Sequence, residues 1–160
     1  MKRALFSGSF DPITRGHVEI VERARRLFDE VYVVAFINSE KAGMFTPDER
    51  LDIIRDAVCG MEGVFADTYS GTVAEYVREK NIDVIVRGVR SPIDCQYEIE
   101  SGEVNRRLSG VDTVMLACGT ENSRTSSTLL REMLRIGQPI SEYADARCEE
   151  KILSFFNKKK

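Results

Sequence analysis

The only histidine of the chain, His17, ends a segment of small and polar residues that could bind an anion. Residues 7–17 read SGSFDPITRGH, between a short apolar run and an amphipathic stretch. The segment is therefore predicted to join a strand to the N-terminus of a helix, where unpaired N–H groups and the helix dipole attract negative charge. Gly8 would let a ligand approach the backbone, and Gly16 would keep the helix start open. Taken singly, a histidine at this position is more often a capping or surface residue.

Other residues suited to phosphate chemistry also follow predicted strands or open a predicted helix. Arg87 and Arg90 bracket a Gly-Val pair at the end of an apolar run, and Lys41 follows an earlier apolar run. Ser126 and Ser127 open a late helix, where capping and phosphate binding are compatible. Each has a plainer interpretation, because isolated lysines and arginines are usually solvated and serines often serve only as caps.

The elements that must position these residues alternate between strand and helix. Strands are predicted over 3–6, 31–37, 64–68, 83–86 and 113–118, and helices over 16–28, 46–58, 72–80, 93–108, 126–136 and 144–156. The run VYVVAFI at 31–37 is apolar on both faces, as in a buried parallel strand. The sequence TPDE at 46–49 is a capping box with proline at the first helical position. This alternation predicts an α/β fold, with a five-stranded parallel sheet covered on both faces in a doubly wound, single domain.

Ligands bind such sheets at the carboxyl ends of the strands, where the strand order reverses. That edge should bring together residues 7–17, 38–41 and 87–90, which follow the first, second and fourth predicted strands. The chemistry-bearing side chains are thus expected to meet at one edge of the sheet.

Composition excludes several classes of function. The chain has 160 residues with 23 Lys+Arg against 26 Asp+Glu, a net charge of −3 that disfavours general nucleic-acid binding. The terminal lysine run over 158–160 and the arginines of the first helix are more plausibly solvated. No apolar run approaches the ~18 residues of a membrane span, and the amino terminus does not resemble a secretory signal. We therefore expect a cytoplasmic protein with no membrane partner.

No metal-binding site is predicted. The four cysteines are scattered without a CxxC pair, as in a reduced cytosolic protein, and are interpreted as small hydrophobic residues. Asp11 is expected to form a turn rather than to ligate a metal. No acidic cluster exists to cage a divalent ion, so Mg²⁺ would have to arrive with a phosphate ligand.

Two widely separated motifs resemble those of a known superfamily. TRGH at 14–17 is similar to the Thr/His-x-Gly-His motif of nucleotidylyltransferases, and TSSTLLR at 125–131 is similar to their ISSTxIR motif. Within that superfamily the chain resembles the phosphopantetheine adenylyltransferases over essentially its whole length. The specific matches are GSFDPIT, Lys41 before MFT at 44–46, RGVR at 87–90, QYE at 96–98 and NR at 105–106.

The resemblance implies a Rossmann-like nucleotidylyltransferase domain over 1–157 that assembles as a homohexamer. It implies the reaction of ATP with 4′-phosphopantetheine to give dephospho-coenzyme A and pyrophosphate, with Mg²⁺ carried by ATP. Catalysis would fall to three residues, His17, Lys41 and Arg90, with His17 donating a hydrogen bond to the α-phosphate. Four residues would bind the acceptor: Ser9, Lys41, Val73 and Arg87. The residues implied to bind ATP are Ser9, Phe10, His17, Gly88, Val89, Arg90, Glu98, Asn122, Ser123, Arg124, Thr125, Ser126, Ser127 and Thr128.

The sequence departs from the family pattern just before the Ser-Ser pair. Family members often carry aromatic or aliphatic residues there, whereas residues 122–125 read NSRT. We therefore do not expect side chains of this loop to stack on the base, but we do expect its backbone to contact the nucleotide. Two alternatives stay open. One is another nucleotidylyltransferase, acting on nicotinamide mononucleotide or a cytidylyl substrate. The other is a non-catalytic nucleotide-binding module, although binding alone does not need a donor at the α-phosphate.

Overall fold

Strands and helices alternate along the computed structural model, which describes residues 1–38, 42–122 and 124–159. The strands of the described chain are β1 (Arg3–Gly8), β2 (Glu30–Phe36), β3 (Val64–Tyr69), β4 (Val84–Val89) and β5 (Thr113–Ala117). Its helices are α1 (Arg15–Arg25), α2 (Pro47–Ala57), α3 (Val73–Lys80), α4 (Pro92–Ser109), α5 (Ser127–Arg135) and α6 (Glu149–Asn157). The predicted elements are therefore present in the predicted order.

The strands form one parallel sheet in the order β3-β2-β1-β4-β5. The central strand is β1, in which Ala4 pairs with Val31 of β2 on one side and with Val84 of β4 on the other. The chain first winds outward from β1 to β3 and then crosses to β4 and β5. The strand order thus reverses between β1 and β4, which is where a ligand site is expected.

Both faces of the sheet are covered, which confirms the doubly wound architecture. Phe6 joins a core cluster with residues of α1, α2, α5 and α6. Leu5 joins a second cluster with Tyr76 and Val77 of α3. Neighbouring residues of β1 enter different clusters because successive side chains of a strand point to opposite faces.

Three helices begin with the same local device. Thr14, Thr46 and Thr72 are extended N-cap residues, and each hydroxyl accepts the N–H of the third helical residue. In α2 and α3 the third residue is glutamate, whose carboxylate accepts the cap's own N–H, as in a standard capping box. In α1 that position is His17, so the reciprocal acceptor is an imidazole.

Several boundaries differ from the sequence prediction by two residues or more, including the ends of β1 and α1, which lie at Gly8 and Arg25 instead of residues 6 and 28. The predicted strand ends at residue 86, but β4 continues to Val89 because Arg87 and Gly88 pair with Met115 and Leu116 of β5. The last helix begins at Glu149 instead of residue 144, since the preceding residues form a turn. The extension of β4 through Gly88 depends on pairing with β5, which the local sequence does not show.

A solvated lysine tail was expected over 158–160, but Lys159 makes defined contacts, and Lys160 lies outside the described residues. The Lys159 ammonium donates to the Met44 carbonyl at 2.7 Å and to Glu49 of α2, and it lies 5.1 Å from the centroid of the Phe45 ring. Burial raises the pKa of Glu49, but hydrogen bonds from Lys159 and Thr46, with the charge of Lys159, outweigh it and lower the pKa. Lys159 therefore connects the residues after α6 to the segment that precedes α2.

Helix α4 packs poorly against the rest of the chain. Its one buried residue is Glu98, whereas several of its large apolar side chains are exposed: Ile93, Tyr97, Ile99, Val104 and Leu108. Among the described residues, no helix has the length and apolar character needed to cross a membrane.

Candidate active site

A cavity of about 360 Å³ opens at the carboxyl edge of the sheet, between β1 and β4. Its wall is built from the β1–α1 turn, the end of β4, the first half of α4 and the N-terminus of α5. It brings together most of the residues predicted to bind ATP or the acceptor: Ser9, Phe10, His17, Arg87, Gly88, Arg90, Glu98, Asn122, Thr125, Ser126, Ser127 and Thr128. The topological prediction of the site is therefore consistent with the geometry.

The β1–α1 turn is held by the buried carboxylate of Asp11. Its two oxygens accept the backbone N–H groups of Met44 and Phe45 at 2.9 and 2.8 Å, and the Arg50 guanidinium lies 3.3 Å away. Arg131 of α5 donates to the Asp11 carbonyl at 2.7 Å. Asp11 thus forms and anchors the turn, and these contacts fix the turn relative to α2 and α5.

Phe10 supports the turn from below the cavity. It is 2% exposed and has a φ of +40°, a conformation that residues other than glycine seldom adopt. Its ring meets the His17 ring edge-on at 5.2 Å, and a Cβ added to Gly8 would lie 3.0 Å from it. Gly8 is therefore needed to make room for the Phe10 ring, a reason that the sequence alone did not give.

The contacts of His17 define which of its nitrogens carries the proton. Its Nδ1 lies 3.0 Å from the Thr14 backbone N and 3.0 Å from the Thr14 hydroxyl. A backbone N–H can only donate, so Nδ1 must accept and cannot carry a proton. In the neutral ring the proton then lies on Nε2, which is left as the donor toward a ligand.

The surroundings of His17 keep the ring neutral. Burial, followed by the positive charges of Arg90 and Arg87, lowers the pKa of His17 to about 4. At neutral pH the side chain is therefore an uncharged hydrogen-bond donor and a very weak base.

Arg87 is held between β1 and α4. Its guanidinium makes a two-pronged ion pair with Glu98, at 2.6 and 2.8 Å, and donates to the Ser7 carbonyl. The resemblance assigned Arg87 to the acceptor and Glu98 to ATP, but here both ends of the carboxylate are occupied by the arginine. Glu98 in this arrangement orients Arg87, and its predicted contact with ATP stays a prediction.

Arg90 is held more loosely at the cavity mouth. Its Nε donates to Asp94 at 3.0 Å and its Nη1 donates to the Thr125 carbonyl at 3.0 Å. The side chains of this ion pair are 38% and 33% exposed, so water and incoming anions can reach both. Arg90 can therefore exchange the carboxylate for a phosphate.

The N-terminus of α5 meets that of α1 across the cavity. Ser126 caps α5 by accepting the Leu129 N–H at 3.1 Å, and Ser127 donates to the Pro12 carbonyl at 2.8 Å. A Cβ at Gly16 would lie only 2.5 Å from the Thr125 hydroxyl, so glycine lets the two helix starts come together. The starts of both helices consequently border one cavity, where the positive ends of their dipoles favour an anion.

Some predicted site residues lie away from this cavity. The Val89 carbonyl accepts the Cys118 N–H within the sheet edge, and Arg124 is exposed. Val73 begins α3 beside a separate opening formed by residues 36–38, 70–72 and 75. Lys41 and Ser123 lie outside the described residues, so their predicted roles stay predictions.

Sequence reasoning missed the residues that hold the functional side chains. Thr14 was read only as part of a motif, although a threonine before a helix is a recognisable capping signal. Asp94 and Arg50 gave no local signal, because their partners are reached only in the folded chain.

Comparisons with known proteins agree with this geometry. The family described as cytidylyltransferase-like matches residues 5–133, which span the β1–α1 turn, β4 and almost all of α5. A crystal structure titled as a putative nicotinate-nucleotide adenylyltransferase from Vibrio parahaemolyticus superposes with a TM-score of 0.68 over 96% of this chain and 99% of that one. At 23% identity that likeness shows the fold alone. The fold and the family match define a nucleotidyltransferase.

Similar proteins with curated names identify the particular family within this class. Phosphopantetheine adenylyltransferase of Pseudarthrobacter chlorophenolicus is 39% identical over 155 residues, covering 96% of this chain and 93% of that protein. The protein of the same name from Cutibacterium acnes is 41% identical, covering 88% and 90%. The chain belongs to the phosphopantetheine adenylyltransferase family.

Proposed function

We propose that the cavity transfers the adenylyl group of ATP to 4′-phosphopantetheine, giving dephospho-coenzyme A and pyrophosphate. An oxygen of the acceptor phosphate attacks the α-phosphorus, a new P–O bond forms, and the bond from the α-phosphorus to the bridging oxygen of pyrophosphate breaks. The observation that carries this proposal is the neutral His17, whose Nε2 is left to donate between two arginines and two helix starts.

His17 is suited to stabilise the transition state rather than to remove a proton. A phosphate monoester has a second pKa near 6, so the acceptor is already mostly dianionic at neutral pH. Negative charge gathers on the α-phosphate oxygens during transfer, and a fixed donor there is most effective in the transition state. The low pKa of His17 makes it a poor base, which is consistent with the donor role.

The two cavity arginines are proposed to bind different phosphate groups of the substrates. Arg90, at the open mouth, is proposed to bind the outer phosphates of ATP after releasing Asp94. Arg87, fixed by Glu98 beside Ser7, is proposed to face the acceptor phosphate, with Ser9 nearby. Lys41 is proposed to reach the reacting phosphates, and the helix start at Val73 is proposed to contact the pantetheine arm.

Mg²⁺ enters this proposal as part of the nucleotide substrate. Among the described residues no group of three or more candidate ligands lies together, and the cavity carboxylates Asp94 and Glu98 are paired with arginines. These residues do not fit a resident ion. In this proposal the ion would remain bound to the phosphates and its own waters.

Assembly as a homohexamer is part of the proposal. The exposed apolar residues of α4 offer a surface for a second copy of the chain, which would cover Ile93, Tyr97 and Leu108. Light scattering after size exclusion should give about six times the 18.1 kDa chain mass. A monomer at micromolar concentration would contradict the assembly. The proposed site of action is the cytoplasm, in keeping with four unpaired cysteines.

The direct test is pyrophosphate release with ATP, Mg²⁺ and 4′-phosphopantetheine. Nicotinamide mononucleotide and a cytidylyl donor serve as control substrates, since the broader class includes enzymes that use them. Release that depends on phosphopantetheine supports the proposal. Release only with another acceptor, or nucleotide binding without release, would overturn it.

A further inference from the structure

One carboxylate of α1 ties the loop between β5 and α5 to the helix that carries His17. Glu19 accepts the Gly119 N–H at 2.9 Å through one oxygen and the Asn122 side-chain amide at 2.7 Å through the other. A Cβ at Gly119 would lie 3.0 Å from the same carboxylate, so glycine allows this approach. Arg23 completes the arrangement by donating to Glu19 at 3.3 Å.

The contact continues into the cavity. The Asn122 carbonyl accepts both the backbone N–H of Thr125, at 3.0 Å, and its hydroxyl, at 2.8 Å. The Thr125 carbonyl in turn accepts Arg90 Nη1 at 3.0 Å. Asn122, Thr125 and Arg90 line the cavity, whereas Glu19 is not among its described lining residues. A residue outside the site is thus joined by consecutive hydrogen bonds to three residues inside it.

The carboxylate is suited to hold this loop at neutral pH. Burial raises the pKa of Glu19, but hydrogen bonds from Asn122, Gly119 and Arg23 outweigh it and lower the pKa below the usual value. Both carboxylate oxygens accept hydrogen bonds from the loop, one from the Gly119 N–H and the other from the Asn122 amide. Hydrogen bonds to an ionised acceptor are stronger than neutral ones, which favours a single loop conformation.

We propose that Glu19 is a positioning residue for ATP, which preforms the loop through Gly119, Asn122 and Thr125 and thereby sets nucleotide affinity. The inference rests on the proposed function of the cavity. A preformed loop loses less conformational freedom when the nucleotide binds, so removal of Glu19 weakens ATP binding without touching the acceptor.

The test compares Glu19→Ala with Glu22→Ala. Glu22 is an acid of the same helix, but its partner is Arg147, at 2.9 Å and outside the cavity, so the control removes the same charge and an ion pair. Glu19→Ala should raise the KM and the calorimetric Kd for ATP roughly tenfold, the scale of coupling within one hydrogen-bond network. The KM for 4′-phosphopantetheine should stay within twofold, and Glu22→Ala should change neither KM.

Two further variants separate positioning from general damage to the fold. Glu19→Gln keeps an acceptor for the Gly119 N–H but loses the charge and the second acceptor, so its ATP affinity should lie between those of Glu19→Ala and the wild type. In an Asn122→Ala background, Glu19→Ala should have a smaller effect than in the wild type, because part of its connection to the cavity is already gone. Melting temperatures of all variants report stability separately.

The inference is overturned if Glu19→Ala changes ATP affinity less than twofold, if it raises both KM values equally, or if Glu22→Ala has the same effect. Failure of the proposed function looks different. In that case the wild type would release no pyrophosphate with phosphopantetheine, while the effect of Glu19→Ala on ATP binding could still be measured by calorimetry.

Discussion

The β1–α1 turn and the β4–α4 segment both present polar groups to the cavity, but they hold them in different ways. His17 is held by a backbone N–H and a hydroxyl of Thr14, neither of which competes with an anionic ligand. Arg90 is held by the carboxylate of Asp94, which competes directly with phosphate. We therefore expect one side of the cavity to be preformed for the transition state and the other to exchange partners on binding.

From this difference we expect distinct tasks for the two sides. A donor that does not move costs no reorganisation during the reaction, which is where electrostatic catalysis gains most. An arginine with an exposed carboxylate partner can bind phosphate and release it again, since such an ion pair contributes only about 0–1 kcal/mol. Loss of the first should reduce kcat, and changes in the second should alter ATP affinity as well.

The largest effect is expected from His17→Ala. It should lower kcat roughly 10²–10⁴-fold and leave the Kd for ATP within several-fold, because the lost contact strengthens in the transition state. Steady-state and single-turnover rates from pH 7 to 9 should show a constant or widening deficit. A deficit that shrinks about tenfold per pH unit would mean that His17 is a base.

His17→Gln is the matched control for that variant. Glutamine at the third helical position can accept the Thr14 N–H in a capping box and keep an amide donor for the ligand. We expect it to retain more activity than His17→Ala. Equal activity of the two variants would contradict the donor role.

Arg90→Ala is expected to reduce turnover on the order of 10²-fold or more, because it removes a charge from a developing polyanion. Lys41→Ala should have a comparable effect if the predicted role of Lys41 holds. The control is Arg55→Ala, which removes an exposed arginine that pairs with Asp52. A similar loss of turnover in Arg55→Ala would contradict a specific role of Arg90 at the reacting phosphates.

A smaller effect, of opposite sign, is expected from Asp94→Asn. Because Arg90 must leave Asp94 before it binds phosphate, removal of the carboxylate charge should lower the KM for ATP roughly twofold to fivefold, the equivalent of one exposed ion pair. Initial rates over a range of ATP concentrations measure it. A raised KM would show that Asp94 helps to place Arg90 and does not compete with the nucleotide.

The smallest effect is expected at the end of the chain. Lys159→Ala removes the contacts with Met44 and Glu49 and should lower Tm by about 2–4 °C, with kcat within twofold. Thermal unfolding at neutral pH measures it, with Lys158→Ala as the control. An unchanged Tm would show that the contacts of Lys159 do not stabilise the fold, as the sequence prediction of a solvated tail implies.

The fold could be predicted from sequence because its signals are local. Apolar runs such as VYVVAFI and threonine caps such as Thr46 mark strands and helix starts directly. The position of His17 at the sheet edge followed from the same reasoning. The family and its reaction came from motif resemblance, which needs no structure.

The contacts that could not be predicted from sequence form only in the folded chain. The pairing of Arg87 with Glu98 joins a strand to a helix, and Lys159 reaches Met44 from the far end of the sequence. No periodicity or spacing encodes such contacts. The tautomer of His17 likewise follows from a distance to Thr14, which a motif does not contain.

The central claim, that His17 is a neutral Nε2–H donor, can be measured directly because the chain has one histidine. Nuclear magnetic resonance of ¹⁵N-labelled imidazole should give one protonated nitrogen, Nε2, and one unprotonated nitrogen, Nδ1, at neutral pH. Since the pKa of His17 is lowered to about 4, the ring should remain neutral as the pH falls from 8 to 5.5. A proton on Nδ1, or a midpoint near the ordinary value of 6.5, would contradict the account.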